Sequence, residues 1–338
     1  GFGQNTGTAA VLMHVLDVKP EGVQNVTLTW GDIHEVLRYF EPFKRDNKVH
    51  ENIRVLDGAS SPNMSQKVVA TFIFDDIAPQ GVEDSTLKLY ALSNRLYKPN
   101  TLNLSGIFAK LPNVAWQGDT PLDEAEVNDL LLRAAFGDQE YAPHMTDKFP
   151  LYTHRINAAK MGVRITDQNK VRRGAYLGKD TTLMPGASYV NFNAGTEGKA
   201  MVEGRISSSA FVGNGTDIGG GASILGTLSG GNSTPITVGR NCLLEVNSSL
   251  GIPIGDCVIV TAGTAVVASS NVFVQLKDHP LYGTFVKARD LAGINRVTFR
   301  RNDQNGALEV VQVRRNQERA EMLAREEVAL NAELHNNT

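Results

Sequence analysis

From Val171 to Val266 the aliphatic residues of this chain return on a beat of six. Leu177, Leu183 and Tyr189 follow Val171 at the lead position, and after a slip of one residue the beat resumes at Ile206, Val212, Ile218 and Ile224. A glycine-rich interruption runs from Ser229 to about Pro235, then Val238, Leu244 and Leu250 restore the phase. A shorter step leads to Ile254, Val260 and Val266. Four places after many leads stands a small residue: Ala175, Thr181, Ala187, Ala210, Thr216, Ala222, Cys242, Ser248 and Thr264. Glycine commonly follows the lead directly, as at Gly178, Gly213, Gly219, Gly239 and Gly255.

A period of six fits neither a helix nor an alternating strand. It fits a parallel β-helix, in which each hexapeptide makes one short face and one corner and three faces close a triangular coil. The lead residue points inward and stacks on its equivalents in neighbouring coils about 4.8 Å away. The small residue fits the tight corner, and glycine and asparagine supply the corner's backbone angles. A glycine-rich linker would be poor in Val and Ile and would hold no phase. The expected fold is therefore mainly β. A left-handed hexapeptide coil over 158–275 follows an N-terminal α/β domain over 1–157 and precedes a small hairpin and helix over 276–338.

In the N-terminal region "AVLMHVLDV" and "KVVATFIF" read as strands, and "GDIHEVLRYF" and "LDEAEVNDLLLRAAFG" as amphipathic helices. Asp123 suits the cap of the second helix and Gly137 lies past its end. The opening "GFGQNTGTAA" looks like a phosphate-binding loop, but it precedes the apolar run instead of following a strand, so the expectation is a plain terminus. Near the other end "NRVTFRRNDQNGALEVVQVRR" reads as two strands around an Asn-Gly turn, and the tail from Gln317 as helical.

Composition sets outer limits. The 338 residues are 41% hydrophobic and 20% charged with a net charge of −3, which gives no reason to expect nucleic acid or membrane as a partner. No apolar run approaches the roughly 20 residues of a membrane span, and no signal peptide opens the sequence. Cys242 and Cys257 are too few for a disulfide framework or structural zinc. These features lead to an expectation of a cytoplasmic protein. None of the histidines (His14, His34, His50, His144, His154, His279, His335) lies between Lys160 and Asn271. The repeat thus offers neither a histidine base nor a histidine zinc site. Chemistry centred there must use a carboxylate, His279, or another subunit.

Glu203 in "MVEGRIS" is the candidate carboxylate, flanked by Gly204 and Arg205. One coil of eighteen residues onward, less the slip, brings Gly219, Gly220 and Gly221 about one strand above it. Such a ledge lets a thioester approach backbone NH groups that can steady an oxyanion. A carboxylate is the form of glutamate that serves as nucleophile or base, and the sequence leaves both roles open.

The words "YVNFNAGTEGKAMVEGRIS", "GGGASILGTLSGG", "CLLEVNSSLGI", "VKARDLAG" and "FRRNDQNGALEV" resemble those of the tetrahydrodipicolinate N-succinyltransferase family, in its long form. The resemblance spans roughly residues 165 to 315; the N-terminal region matches by length and position alone. It implies transfer of succinyl from succinyl-CoA to the amino group of ring-opened tetrahydrodipicolinate, in diaminopimelate and lysine biosynthesis. It also implies a homotrimer with active sites between subunits, CoA as co-substrate, and no permanently bound cofactor. On this resemblance Glu203 is the catalytic residue, and Arg205, Gly220 and Ser223 line the substrate and cofactor groove. Val246, Thr261 and Ala262 flank the pantetheine arm, while Lys287, Arg300, Arg301, Asn302 and Asp303 contact CoA. Some members hold magnesium through acidic side chains on the trimer axis; the matching positions here are Lys170 and Ala187, so no such ion is expected. Two other readings stand beside it, another CoA-dependent N-acyltransferase and a non-catalytic trimeric scaffold.

Overall fold

The computed structural model describes residues 6–43, 51–60, 67–118, 120–137, 145–227 and 234–313. The helix expected from Gln317, and most of the glycine-rich interruption after Ser229, lie outside these residues. The chain forms two compact units, Gly1–Ala91 with Leu102–Pro112, and Leu92–Thr101 with Asn113–Thr338.

The first unit is built from α1 (Thr6–Val15), β1 (Val23–Thr27), α2 (Trp30–Phe40), α3 (Glu51–Ala59), β2 (Val69–Ile73), most of α4 (Val82–Ser93) and α5 (Ile107–Lys110). β1 and β2 pair antiparallel, Val23 opposite Ile73. Ile33, Val36 and Leu37 of α2 pack with Ile53, Leu56 and Ala70. Thr29 and Asp32 close a reciprocal capping box at the start of α2, which satisfies two amides that the first turn leaves without helical partners.

The run "AVLMHVLDV" is α1, not a strand. An unbroken apolar run carries no alternation to distinguish strand from buried helix. Here Ala9, Ala10, Leu12 and Met13 are strong helix formers, and Val11, Leu12 and Val15 pack on the α2–α3 core. Residues 6–10 of the glycine-rich opening are the first turns of that helix.

In the second unit, β3 (Val114–Gln117), β4 (Thr120–Leu122) and β5 (Met145–Asp147) form a small antiparallel sheet. Between them lies α6 (Glu124–Ala135), capped by Asp123 and Glu126 and followed by Gly137 at φ +79°.

The rest is the coil, with three faces of parallel strands. Ile165, Leu183, Val202, Ile218, Leu244 and Val260 stack along the first. Val171, Val190, Ile206, Ile224, Leu250 and Val266 stack along the second. Leu177, Thr196, Val212, Val238 and Ile254 form the third. All are buried apart from Ile165, which is partly so.

The inward residue of the second face is Val190, not Tyr189, whose side chain lies on the outer surface beside Arg205. The slip of one residue is really two displacements. A seven-residue step runs from Leu183 to Val190 and a four-residue step from Val202 to Ile206, with Thr196 and Val202 as intervening leads. Accordingly Ser188, not the exposed Ala187, fills the small corner position two places before its lead.

The C-terminal strands extend the first face. Val297–Arg301 runs parallel to Ile259–Val260 and pairs antiparallel with Leu308–Gln312. The link between these two strands is a six-residue loop, Asn302–Ala307, instead of a tight Asn-Gly turn. The Asn302 side chain accepts the amides of Gln304 and Asn305 and so organises the loop from its start, leaving Gly306 to close it at φ +71°.

Candidate active site

The turn from first to second face is where the phase slips matter. At Val202–Ile206 this turn spans four residues, against six at Ile218–Ile224, Leu244–Leu250 and Val260–Val266. The shortened turn draws the chain in. A Cβ on Gly204 would sit 2.3 Å from the Ala222 carbonyl oxygen and 2.9 Å from that of Gly219, so only glycine allows this approach. The corner ridge is therefore notched at Glu203–Gly204, with Gly219, Gly220 and Gly221 forming the next step up.

Glu203 is fixed by its backbone: its amide donates to Ile218 O at 2.8 Å, and its carbonyl accepts from Gly221 N at 3.4 Å. The half-buried carboxylate has no hydrogen-bond or ion-pair partner among the described residues. One of its oxygens, Oε2, lies 3.6 Å from the point a Cβ on Gly220 would occupy, and beyond Gly220's chain neighbours no other atom of the described residues lies within 4 Å of that point. Gly221 holds φ +71°, the left-handed conformation glycine adopts without cost. A carboxylate thus faces a ledge that carries no side chains.

Arg205 is exposed and donates from Nη2 to Ser223 Oγ at 3.0 Å across paired strands. It is not ion-paired with Glu203 or Glu197. Glu197 is engaged by Arg240 at 3.0 Å and Lys98 at 3.6 Å, and its carboxyl is lowered, chiefly by the hydrogen bond from Arg240. The Arg205 guanidinium therefore keeps its charge available beside the notch.

Val246 and Ala262 continue the ridge above Gly220. Asn247 N donates to Gly220 O at 3.0 Å and Gly263 N to Val246 O at 2.9 Å, so Glu203, Gly220, Val246 and Ala262 occupy one corner in successive coils. Thr261 N donates to Phe299 O at 3.0 Å, which brings the ridge to the C-terminal strand carrying Arg300 and Arg301. The structure thus gathers Glu203, Arg205, Gly220, Ser223, Val246, Thr261 and Ala262 along one edge of the coil.

The C-terminal candidates differ among themselves. Arg300 Nε donates to Glu309 Oε1 at 2.7 Å, and Asn302 Nδ2 reaches Glu309 Oε2 at 3.2 Å. Arg301 is exposed and, among the described residues, donates only to the Gly306 carbonyl, at 3.0 Å. Asp303 is exposed in the loop, and Lys287 donates from Nζ to Ser269 O at 3.1 Å. His279 sits in a separate turn, where Nδ1 accepts from Leu281 N at 3.2 Å.

Two residues with a part here were not anticipated. Glu245 follows its lead Leu244 as Gly219 follows Ile218 and accepts from Ala262 N at 3.0 Å; the six-residue phase carries that signal once counted through the slips. Glu309 is a buried carboxylate in an apolar strand, and no local pattern marks it.

The chain is similar to several known proteins. Residues 1–109 match the family model described as tetrahydrodipicolinate N-succinyltransferase N-terminal. A 2,3,4,5-tetrahydropyridine-2,6-dicarboxylate N-succinyltransferase from a Nitratiruptor species is 40% identical over 98% of this chain and 86% of its own. The enzyme of that name from Pseudomonas aeruginosa is 49% identical over 72% of this chain and 70% of its own. A crystal structure from Campylobacter jejuni, titled as a 2,3,4,5-tetrahydropyridine-2-carboxylate N-succinyltransferase, superposes with a TM-score of 0.84 at 38% identity, covering 93% of this chain and 86% of that one. With relatives this similar across almost its whole length and a notched coil edge presenting one open carboxylate, the chain belongs to the tetrahydrodipicolinate N-succinyltransferase family.

Proposed function

We propose that this chain transfers succinyl from succinyl-CoA to the amino group of ring-opened tetrahydrodipicolinate, and that Glu203 carries the reaction. The observation behind this assignment is the Glu203 carboxylate, unpaired among the described residues, facing the side-chain-free Gly220 step. Two routes balance. In the first, the carboxylate attacks the thioester carbon, the C–S bond breaks and CoA leaves as thiolate; the amine then attacks the resulting anhydride, frees the Glu203 carboxylate, and gives its proton to the CoA thiolate. In the second, the amine attacks the thioester carbon directly, Glu203 takes its proton, and the C–S bond breaks so that CoA leaves as thiolate. In both, the Gly220 amide, which has no acceptor among the described residues, supports a developing oxyanion. Arg205 and Ser223 bind a substrate carboxylate, for which a guanidinium fork is well suited. Val246, Thr261 and Ala262 flank the pantetheine arm, and Lys287, Arg301 and the Asn302–Asp303 loop meet the CoA phosphates. CoA enters and leaves as co-substrate, with no permanently bound cofactor.

The same reading makes the coil left-handed, the protein cytoplasmic, and the working form a homotrimer whose sites lie between subunits. Exposed Leu131 and Leu132 on α6 and Phe136 just past its end support association, since Leu132 and Phe136 are one helical turn apart. Among the described residues no helix is long and apolar enough to cross a membrane.

The test is release of free CoA thiol by the purified chain. Repeated turnover with succinyl-CoA and tetrahydrodipicolinate, and at most one equivalent of CoA per site without the amine, supports the reading. Preference for acetyl-CoA shifts it to another N-acyltransferase, and no release with either donor removes it. A monomer in light scattering at micromolar concentration that retains activity removes the shared-site trimer.

A further inference from the structure

Gly220, Val246 and Ala262 stack at one corner in successive coils, about 4.8 Å apart. The Gly220 and Val246 carbonyls continue the inter-coil ladder, while their amides donate to no acceptor among the described residues. Ala262 breaks the series. Its amide donates to Glu245 Oε2 at 3.0 Å, a carboxylate reaching up from the coil below.

Burial does not demand that bond. Ala262 is exposed, so water can serve its amide as readily as it serves that of Val246. Holding the Glu245 side chain in one rotamer costs conformational entropy, and the fold gains no buried partner in return. What the bond changes is the ridge itself. A charge-assisted hydrogen bond is stronger than one from a neutral carbonyl, so a ligand carbonyl does not displace it cheaply. A chain of carbonyls laid along this edge meets two open donors nearest Glu203 and a third that is closed.

Building on the acyl-CoA reading above, we propose that Glu245 is a positioning residue. By occupying the Ala262 amide it fixes the register of the thioester-bearing arm on the ridge, so that the reactive carbonyl stops beside Glu203 instead of sliding one coil away.

Calorimetric titration of the full chain with CoA, together with steady-state kinetics, tests this in Glu245→Ala and Glu245→Gln. Alanine opens the third donor. CoA then binds about 3–10-fold more tightly, the worth of one added hydrogen bond, while kcat falls because the arm also settles out of register. KM and kcat thus drop together. Glutamine keeps an acceptor oxygen on the same stem but forfeits the charge, so its CoA affinity and kcat fall between those of wild type and alanine. An alanine variant with wild-type CoA affinity and kcat overturns the proposal, as does one that only melts earlier. Equal behaviour of the two variants also overturns it, because charge and not occupancy would then be responsible. A wild-type chain that binds no CoA overturns the acyl-CoA reading itself, and this proposal with it.

Discussion

Arg300 Nε lies 2.7 Å from Glu309 Oε1, and the two side chains have opposite environments: that of Arg300 is 49% exposed and that of Glu309 only 1%. Asn302 and Gln275 also donate to the Glu309 carboxylate. The ion pair is therefore one-sided, since only the carboxylate has lost its water. Removing each partner should cost differently. Arg300→Ala leaves a buried charge without a cation and should destabilise by about 2–4 kcal/mol, discounted from a fully buried pair because the arginine is half exposed. Glu309→Gln lets Arg300 turn to solvent and should cost about 1 kcal/mol. Urea denaturation midpoints check the order, and the reverse ranking refutes it.

The same pair separates two adjacent arginines. Arg300 already has its charge matched by Glu309, whereas among the described residues Arg301 has only the Gly306 carbonyl. Arg301→Ala should weaken CoA binding about 3–10-fold, as loss of an exposed cation from a phosphate contact does, with little change in melting. Calorimetry on both alanine variants decides it; a larger affinity loss at Arg300 in a fully folded protein contradicts the assignment.

Glu203→Ala and Glu203→Gln should both fold normally and still bind CoA. Turnover should fall about 10²–10⁴-fold if the carboxylate acts on the reacting atoms, with stability within about 0.5 kcal/mol. Mass spectrometry of wild-type protein given succinyl-CoA without the amine then looks for one added succinyl group. Its appearance identifies the anhydride route. Normal turnover in Glu203→Gln discards both routes and moves the search to His279 or a subunit boundary.

Two glycines beside Glu203 should respond in opposite ways. In Gly204→Ala the new methyl meets the Ala222 carbonyl oxygen at 2.3 Å, and the backbone contact cannot swing aside. A loss of about 1–3 kcal/mol or more is expected. In Gly220→Ala the methyl meets only Glu203 Oε2, at 3.6 Å, so stability should hold while turnover falls because the step is no longer bare. Paired melting and kinetic measurements test both; an unstable Gly220→Ala or a stable Gly204→Ala rejects the notch geometry.

Alkaline pH should weaken the fold through two buried acids. Burial pushes the Cys242 thiol from an ordinary 9.0 up to about 11. It pushes the Tyr152 hydroxyl from 10.0 up to about 12. In each case the unfolded chain releases its proton first, so stability is fully present below about pH 9 and declines as pH rises through these folded values. Cys242→Ala, a residue already used at this corner position at Ala175, Ala210 and Ala222, should remove the part of the decline between about 9 and 11 and leave the tyrosine part. Denaturation midpoints against pH read this directly; an unchanged slope in the variant would falsify the assignment to Cys242.

The sequence by itself determined the coil, because a β-helix is a repeating structure in which each inward residue must be apolar and each corner small. Leu177, Val212, Ile218 and Val260 therefore announce their places without any knowledge of the rest. It also singled out Glu203, through the motif around it and the absence of histidine from the repeat. Sequence alone did not settle the phase at Tyr189, since one added residue and two missing ones read together as a slip of one and only strand pairing separates them. Nor did it decide α1, whose uniform apolarity suits strand and helix equally until Val11, Leu12 and Val15 meet the α2–α3 core. The pairing of Arg300 with Glu309 joins neighbouring strands in register, and the bond from Ala262 to Glu245 joins neighbouring coils. Contacts of this kind belong to tertiary structure because they depend on which residues the fold brings side by side, and a local pattern of residue types does not encode that.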